Sequence, residues 1–237
     1  MKIRLKFTKQ GAVKFVGHLD MIRLFQRAIK VAKIPIAYSQ GFNPHALVYF
    51  AMPLSVGTSS IGEYMDIVIA SENDKSIDIE ANKVKDALNE ILPEGICIID
   101  AFIASEEGVG SLMSLVHAAS YEMAIPKKEF KGLNAESIND KLSQEELITE
   151  KKGKKGIKTV DIKPMLLAYD TYETENDIML SIKALAGSNE NLSPQVFLNA
   201  VLNEEQIQYK GICITRKELY VNDNGTYKAL DTYRRNG

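Results

Sequence analysis

Cysteine and histidine are scarce in this chain, with two Cys and three His among 237 residues. Three His and two separated Cys match no zinc or iron–sulfur ligand spacing, so neither a metal nor a cofactor is expected. Cys97 and Cys213 each lie in an apolar segment and are expected as reduced, buried thiols that pack like small hydrophobes. Long apolar runs are missing too: none approaches the roughly 20 residues of a bilayer span, and Met1-Lys2-Ile3-Arg4 opens a charged strand with no apolar signal region behind it. A cytoplasmic protein without membrane contact is the expectation. No Ser-His-Asp order, Walker loop or dinucleotide fingerprint appears, which removes the commonest hydrolase and nucleotide-binding classes.

What is present suits a folded protein. Hydrophobic residues make up 45% and charged residues 25% of the chain, which excludes disordered and low-complexity classes. The length allows two ordinary domains. A formal charge of −2 conceals segregation. Residues 1–33 carry nine basic side chains (Lys2, Arg4, Lys6, Lys9, Lys14, Arg23, Arg27, Lys30, Lys33) against the single acid Asp20. Residues 71–107 carry ten acids against Lys75, Lys83 and Lys85. One face could therefore meet an anionic partner; the plainer alternative is a solvated surface.

Periodicity gives the element order. Ile3-Arg4-Leu5-Lys6-Phe7 alternates as a half-buried strand. Residues 18–32 form a helix with Leu19, Ile22, Gln26 and Ile29 on one face and a basic stripe of Arg23, Arg27 and Lys30 on another, stopped by Pro35. Leu47 to Met52 reads as a central strand and 63–70 as the next. A helix over 79–92 and a strand over 95–102 complete the split βαβ order. After a connection at 105–111 the order repeats. Strands fall at 120–125, 147–151, 158–167 and 177–184, a helix over 135–142, a helix over 195–202 opened by Ser193-Pro194, and a last strand over 211–220. The sequences Gly95-Ile96-Cys97-Ile98 and Gly211-Ile212-Cys213-Ile214 echo each other before the last strand of each half. The predicted fold is α+β, two tandem ferredoxin-like (βαββαβ) domains over 1–104 and 118–222, with 223–237 as a flexible tail.

The densest concentration of unusual residues runs from Tyr38 to Tyr64. Tyr38-Ser39-Gln40-Gly41-Phe42-Asn43-Pro44-His45 is a loop composition, as are Pro53-Leu54-Ser55-Val56-Gly57 and Gly62-Glu63-Tyr64. Together with Phe7-Thr8-Lys9-Gln10-Gly11, Phe15-Val16-Gly17-His18-Leu19-Asp20 and Arg27-Ala28, and more weakly Asp161-Ile162-Lys163-Pro164, these blocks resemble the radical SAM-associated, or radical SAM-linked, proteins. That uncharacterised family is a domain of unknown function found alone or C-terminal to cobalamin-binding-type radical SAM proteins. The resemblance is dense over residues 1–70 and thin beyond. It implies an accessory role beside a radical SAM enzyme, and by gene association a link to RNA or ribosome maturation. The Cys-x3-Cys-x2-Cys that holds such an enzyme's cluster is absent here, so the chemistry would belong to the partner.

Several side chains are candidates for binding. His18, near a helix start, reads either as a general base or phosphate contact, or as a polar loop residue beside Asp20 acting as a cap. His45 could hydrogen-bond a nucleotide while Phe42 or Tyr38 stacks on a base, with Ser39, Gly41 and Asn43 adding polar groups and open backbone; alternatively it satisfies loop carbonyls. The two His stand too far apart for an acid/base pair. Lys151, Lys152, Lys154, Lys155 and Lys158 on a Gly-containing tip could neutralise phosphates, or guard an edge strand. Glu63 and Asp66 should point to opposite strand faces. The leading expectation is a non-catalytic RNA or ribonucleoprotein binding module. The alternatives are a metal-independent endoribonuclease using His18 or His45 as general acid/base, and a protein-interaction adaptor without RNA binding.

Overall fold

In a computed structural model, residues 1–72, 75–76, 79–104, 111–153, 156–188, 190–202 and 211–233 are described. The chain divides into two compact units, Met1–Val116 with Glu218–Gly237, and His117–Lys217. Both are α+β, with mostly antiparallel strands and, among the described residues, four α-helices. No helix among those residues is long and apolar enough to cross a membrane.

The first unit contains β1 (Lys2–Lys9), α1 (His18–Val31), β2 (Val48–Phe50), β3 (Ser59–Val68), the short β4 (Ser71–Glu72) and β5 (Lys75–Ser76), α2 (Ala81–Asn89) and β6 (Ile98–Ala104). β1 is central and pairs antiparallel with β3 on one side and β6 on the other. Ile3, Leu5 and Phe7 of β1 join Met65 and Ile67 of β3 in the core beneath the helices. Phe7 packs edge-on against Phe25 of α1 at 4.9 Å between ring centres, an arrangement that adds to simple area burial.

The basic face of β1 differs from the expectation. A half-buried strand should turn Arg4 and Lys6 to solvent, yet Arg4 and Lys9 are buried and Lys6 is nearly so. Both faces of this strand are covered, and each charge taken inside meets a partner: Arg4 meets Asp66, and Lys6 meets Glu218 and Asp231. Buried charges persist where they are paired.

α1 starts after Gly17, whose carbonyl accepts from Met21 N–H at 2.9 Å. It ends where Lys33 takes a positive φ of 54° ahead of Pro35. Its buried residues are Met21, Phe25, Ala28 and Ile29; Leu19 faces solvent, so the apolar face is rotated from the one predicted. The segment 47–52 is a correction as well. β2 is a three-residue strand on the outer side of β3, and Tyr49 is exposed. An apolar run shows burial without telling a central from an edge position.

The second unit contains β7 (Ala118–Pro126), α3 (Ala135–Leu142), β8 (Ile148–Gly153), β9 (Gly156–Asp161), β10 (Leu166–Glu173), β11 (Asp177–Leu185), α4 (Pro194–Val201) and the first part of β12 (Cys213–Asp223). β11 pairs antiparallel with β7 and β10, and β8 with β9 makes a separate hairpin. α3 carries an Asn134 and Ser137 capping box, and α4 the Ser193 cap with Pro194 in its first turn. β10 was absent from the predicted elements; as a largely exposed outer strand it has no apolar alternation to read.

Two further expectations fall. Cys97 and Cys213 are exposed. Ile96, Ile98 and Ile214 take the inward positions while the neighbouring thiols face outward. The predicted tail is ordered in part: β13 (Thr226–Ala229) pairs with β12, and Leu230 is fully buried. The connection at 105–110 lies outside the described residues.

Candidate nucleic-acid interface

The helical rise and the burial of Met21, Phe25 and Ile29 leave Arg23, Arg27 and Lys30 on the solvent side of α1. Arg23 Nη1 lies 3.0 Å from Asp20 Oδ1. Both side chains are well exposed, so this pair orients more than it stabilises. Asp20 sits in the first turn, where its charge suits the helix dipole; the N-cap position belongs to Gly17, which makes no side-chain cap.

An open groove of about 440 Å³ runs along this helix. Asp20, Arg23 and Arg27 rim it, while Leu24, Ala28 and Val31 with Ile91 and Pro93 beyond α2 give it apolar walls. A cleft of this volume, apolar with a few convergent polar groups, has the form of a ligand site. The stripe was legible in the sequence but the groove was not, since Ile91 and Pro93 reach α1 only through the fold.

His18 faces a different space. Its ring meets Phe50 edge-on at 5.4 Å, and it lines a cavity of about 20 Å³ with Lys9, Glu63, Met52 and Leu54. That is room for about one water. Lys9 and Glu63 are both buried, and Lys9 Nζ donates to the Val16 carbonyl at 2.7 Å. Burial lowers the His18 pKa below its ordinary value; Glu63 opposes this and Lys9 adds to it. A neutral imidazole is a poor phosphate contact but can accept a proton. Lys9 and Glu63 were not among the predicted site residues, because nothing in a sequence marks a charge as buried.

The loop from Tyr38 to His45 closes on itself. Tyr38 bridges to Ala46, Ser39 N–H donates to the His45 carbonyl at 2.9 Å, and His45 N–H donates to Ser39 Oγ at 3.1 Å. Ser39 Oγ and His45 Nδ1 lie 2.8 Å apart. His45 thus braces the turn. Gly41 has a φ of +122° with open space around it, Asn43 is exposed, and Phe42 projects fully into solvent with Tyr38 half exposed. Aromatic rings so displayed can stack on bases.

In the second unit, Lys151 and Lys158 are exposed and directly opposed in the β8–β9 register. Facing like charges weaken a strand pair. Lys154 and Lys155, and the side chain of Lys152, lie outside the described residues. Lys163 is structural: its Nζ donates to the Leu142 carbonyl at the end of α3 and lies 5.6 Å from the Tyr169 ring centre.

Glu63 and Asp66 occupy separate surroundings, as their three-residue spacing predicts: Glu63 beside His18, Asp66 bound to Arg4. Among the described residues no group of three or more His, Cys, Asp or Glu side chains is placed to hold a metal.

The sequence model of a family described as "Uncharacterized protein conserved in bacteria (DUF2344)" matches residues 2–194. No curated protein matches the chain. Among solved structures, the crystal structure of an unknown protein from Galdieria sulphuraria is similar at 13% identity, over 91% of this chain and 96% of that one, with a TM-score of 0.25.

Proposed function

The chain belongs to the DUF2344 family, and from that premise we propose that it is a non-catalytic RNA or ribonucleoprotein binding module whose contact surface is the basic face of α1. The observation that carries this reading is the groove beside Arg23 and Arg27. Arg4, Lys6 and Lys9 are withdrawn into the interior, whereas Arg23, Arg27 and Lys30 stay outside on one helix face. Phosphate neutralisation by such side chains is the general source of nucleic-acid affinity. The exposed Phe42 would add a stacking platform. A radical SAM enzyme is the partner that the sequence resemblance suggests.

The same reading takes both units as ferredoxin-like. Strand orders β6-β1-β3-β2 and β12-β7-β11-β10, each with two helices in the split βαβ sequence, support it.

Filter binding of ribosomal or transfer RNA at about 50 mM and about 200 mM salt tests the function. Binding at low salt that weakens at the higher concentration and is lost in the Arg23→Ala, Arg27→Ala, Lys30→Ala triple variant supports it. No binding at low salt rejects it. Co-purification with a radical SAM enzyme tests the partner.

A second reading, metal-independent RNA cleavage with His18 as general base, is favoured by one observation: a lowered-pKa imidazole on a small cavity beside Glu63 and Lys9. Cleavage that persists in chelator and disappears in His18→Ala would support it; intact RNA after long incubation would reject it.

A further inference from the structure

We infer that the groove on α1 receives one unpaired nucleotide, so that this face selects single-stranded RNA, loops or bulges over continuous duplex. The inference rests on the RNA-binding reading and adds the form of the RNA. Charge alone would not distinguish the two, because phosphates are present in both. The walls do. Leu24, Val31, Ile91 and Pro93 give the groove apolar surface beside the two arginines, and in a regular duplex the base faces are already stacked on each other. An unpaired base brings a free face to that surface and to the planes of Arg23 and Arg27, as in other single-strand recognition.

The dimensions agree with one nucleotide. Arg23 and Arg27 are one helical turn apart, about 6 Å along the axis, and the groove between α1 and the Ile91 to Pro93 segment holds about 440 Å³, too little for a double helix. The rim also carries one acceptor. Asp20 Oδ1 is shared with Arg23, and a carboxylate at this position accepts from base N–H groups, which an unpaired base exposes on its Watson–Crick edge. Arg23 and Arg27 would hold the flanking phosphates, with Lys30 further along the helix.

The test compares three RNA probes with the full chain by fluorescence anisotropy at low salt: an unstructured oligonucleotide, the same sequence in perfect duplex, and that duplex with one bulged nucleotide. The inference expects the single strand and the bulge to bind at least tenfold tighter than the perfect duplex. Val31→Ser, at a position 57% exposed and so tolerant of change, should reduce that preference several-fold. Arg27→Ala should weaken all three. Equal affinity for the three probes, with Arg27→Ala still weakening each, would overturn the inference and leave the RNA-binding reading standing. Absence of binding to any probe would remove both.

Discussion

Arg4 and Asp66 lie opposite each other in the β1–β3 register and close a double hydrogen bond, Nε to Oδ1 at 2.7 Å and Nη2 to Oδ2 at 3.0 Å, with both side chains buried. This is the two-point geometry that suits a guanidinium to a carboxylate. Asp66→Ala leaves the guanidinium buried and unpaired and should cost roughly 3–5 kcal/mol. Replacing both partners with apolar residues, Arg4→Met with Asp66→Leu, should restore most of that loss. Urea denaturation of the three proteins checks it; a single variant costing less than about 1 kcal/mol would remove the pair from the account of stability.

Lys6 and Tyr64 predict an alkaline limit. Burial pulls the Lys6 ammonium down, but hydrogen bonds to Asp231 and Glu218 outweigh it and hold the pKa above its ordinary value. Burial and the Glu218 carboxylate push the Tyr64 phenol upward as well, and its hydroxyl donates to Glu218 at 2.7 Å. In both cases the unfolded chain loses its proton first as pH rises, so the stabilisation is complete below about pH 10 and declines above it. Circular dichroism melts across that range should show the decline, and Tyr64→Phe should make it shallower. A Tyr64→Phe profile parallel to the parent would contradict this.

His18 sets the opposite limit. Its pKa is lowered by burial, so as pH falls through about 6.5 the unfolded chain takes up a proton that the folded chain does not. Folding should weaken progressively below that value, and His18→Gln should lose this part of the acid sensitivity. Melting temperatures at about pH 7.5 and about pH 5.5 measure it. An unchanged acid dependence in the variant would place its origin elsewhere.

Gly95 cannot accept a side chain. It adopts a φ of +93°, and a Cβ there would sit 2.4 Å from the Gln10 carbonyl oxygen. Gln10 N–H in turn donates to the Gly95 carbonyl at 2.8 Å, so the two backbones are locked in contact. Gly95→Ala should destabilise by more than about 1 kcal/mol, through strain and displacement together. A variant as stable as the parent in urea would show that this approach is not tight in solution.

Local signals carried the most information. The Ser193-Pro194 start was legible because its cap is chemistry between near neighbours. The Gly-Ile-Cys-Ile echo also has a structural counterpart: Gly95 and Gly211 both take positive φ, and Cys97 and Cys213 both face outward. What the sequence hid was long-range. Lys6 is joined to Glu218 and Asp231 across more than two hundred residues, and no pattern within β1 could say that its basic face would be covered. β10 escaped because an outer strand has no buried face to alternate against. Of the candidate site, the α1 stripe followed from the helical period, whereas the apolar walls beyond α2 depend on packing alone.

The salt dependence of RNA affinity is the most direct test of the proposed role of α1. Three phosphate contacts from Arg23, Arg27 and Lys30 predict a slope of log K against log salt of about −2 for single-stranded RNA, and the triple alanine variant should lose both the affinity and the slope. A triple variant that binds as tightly as the parent, with the same slope, would contradict the assignment of this face.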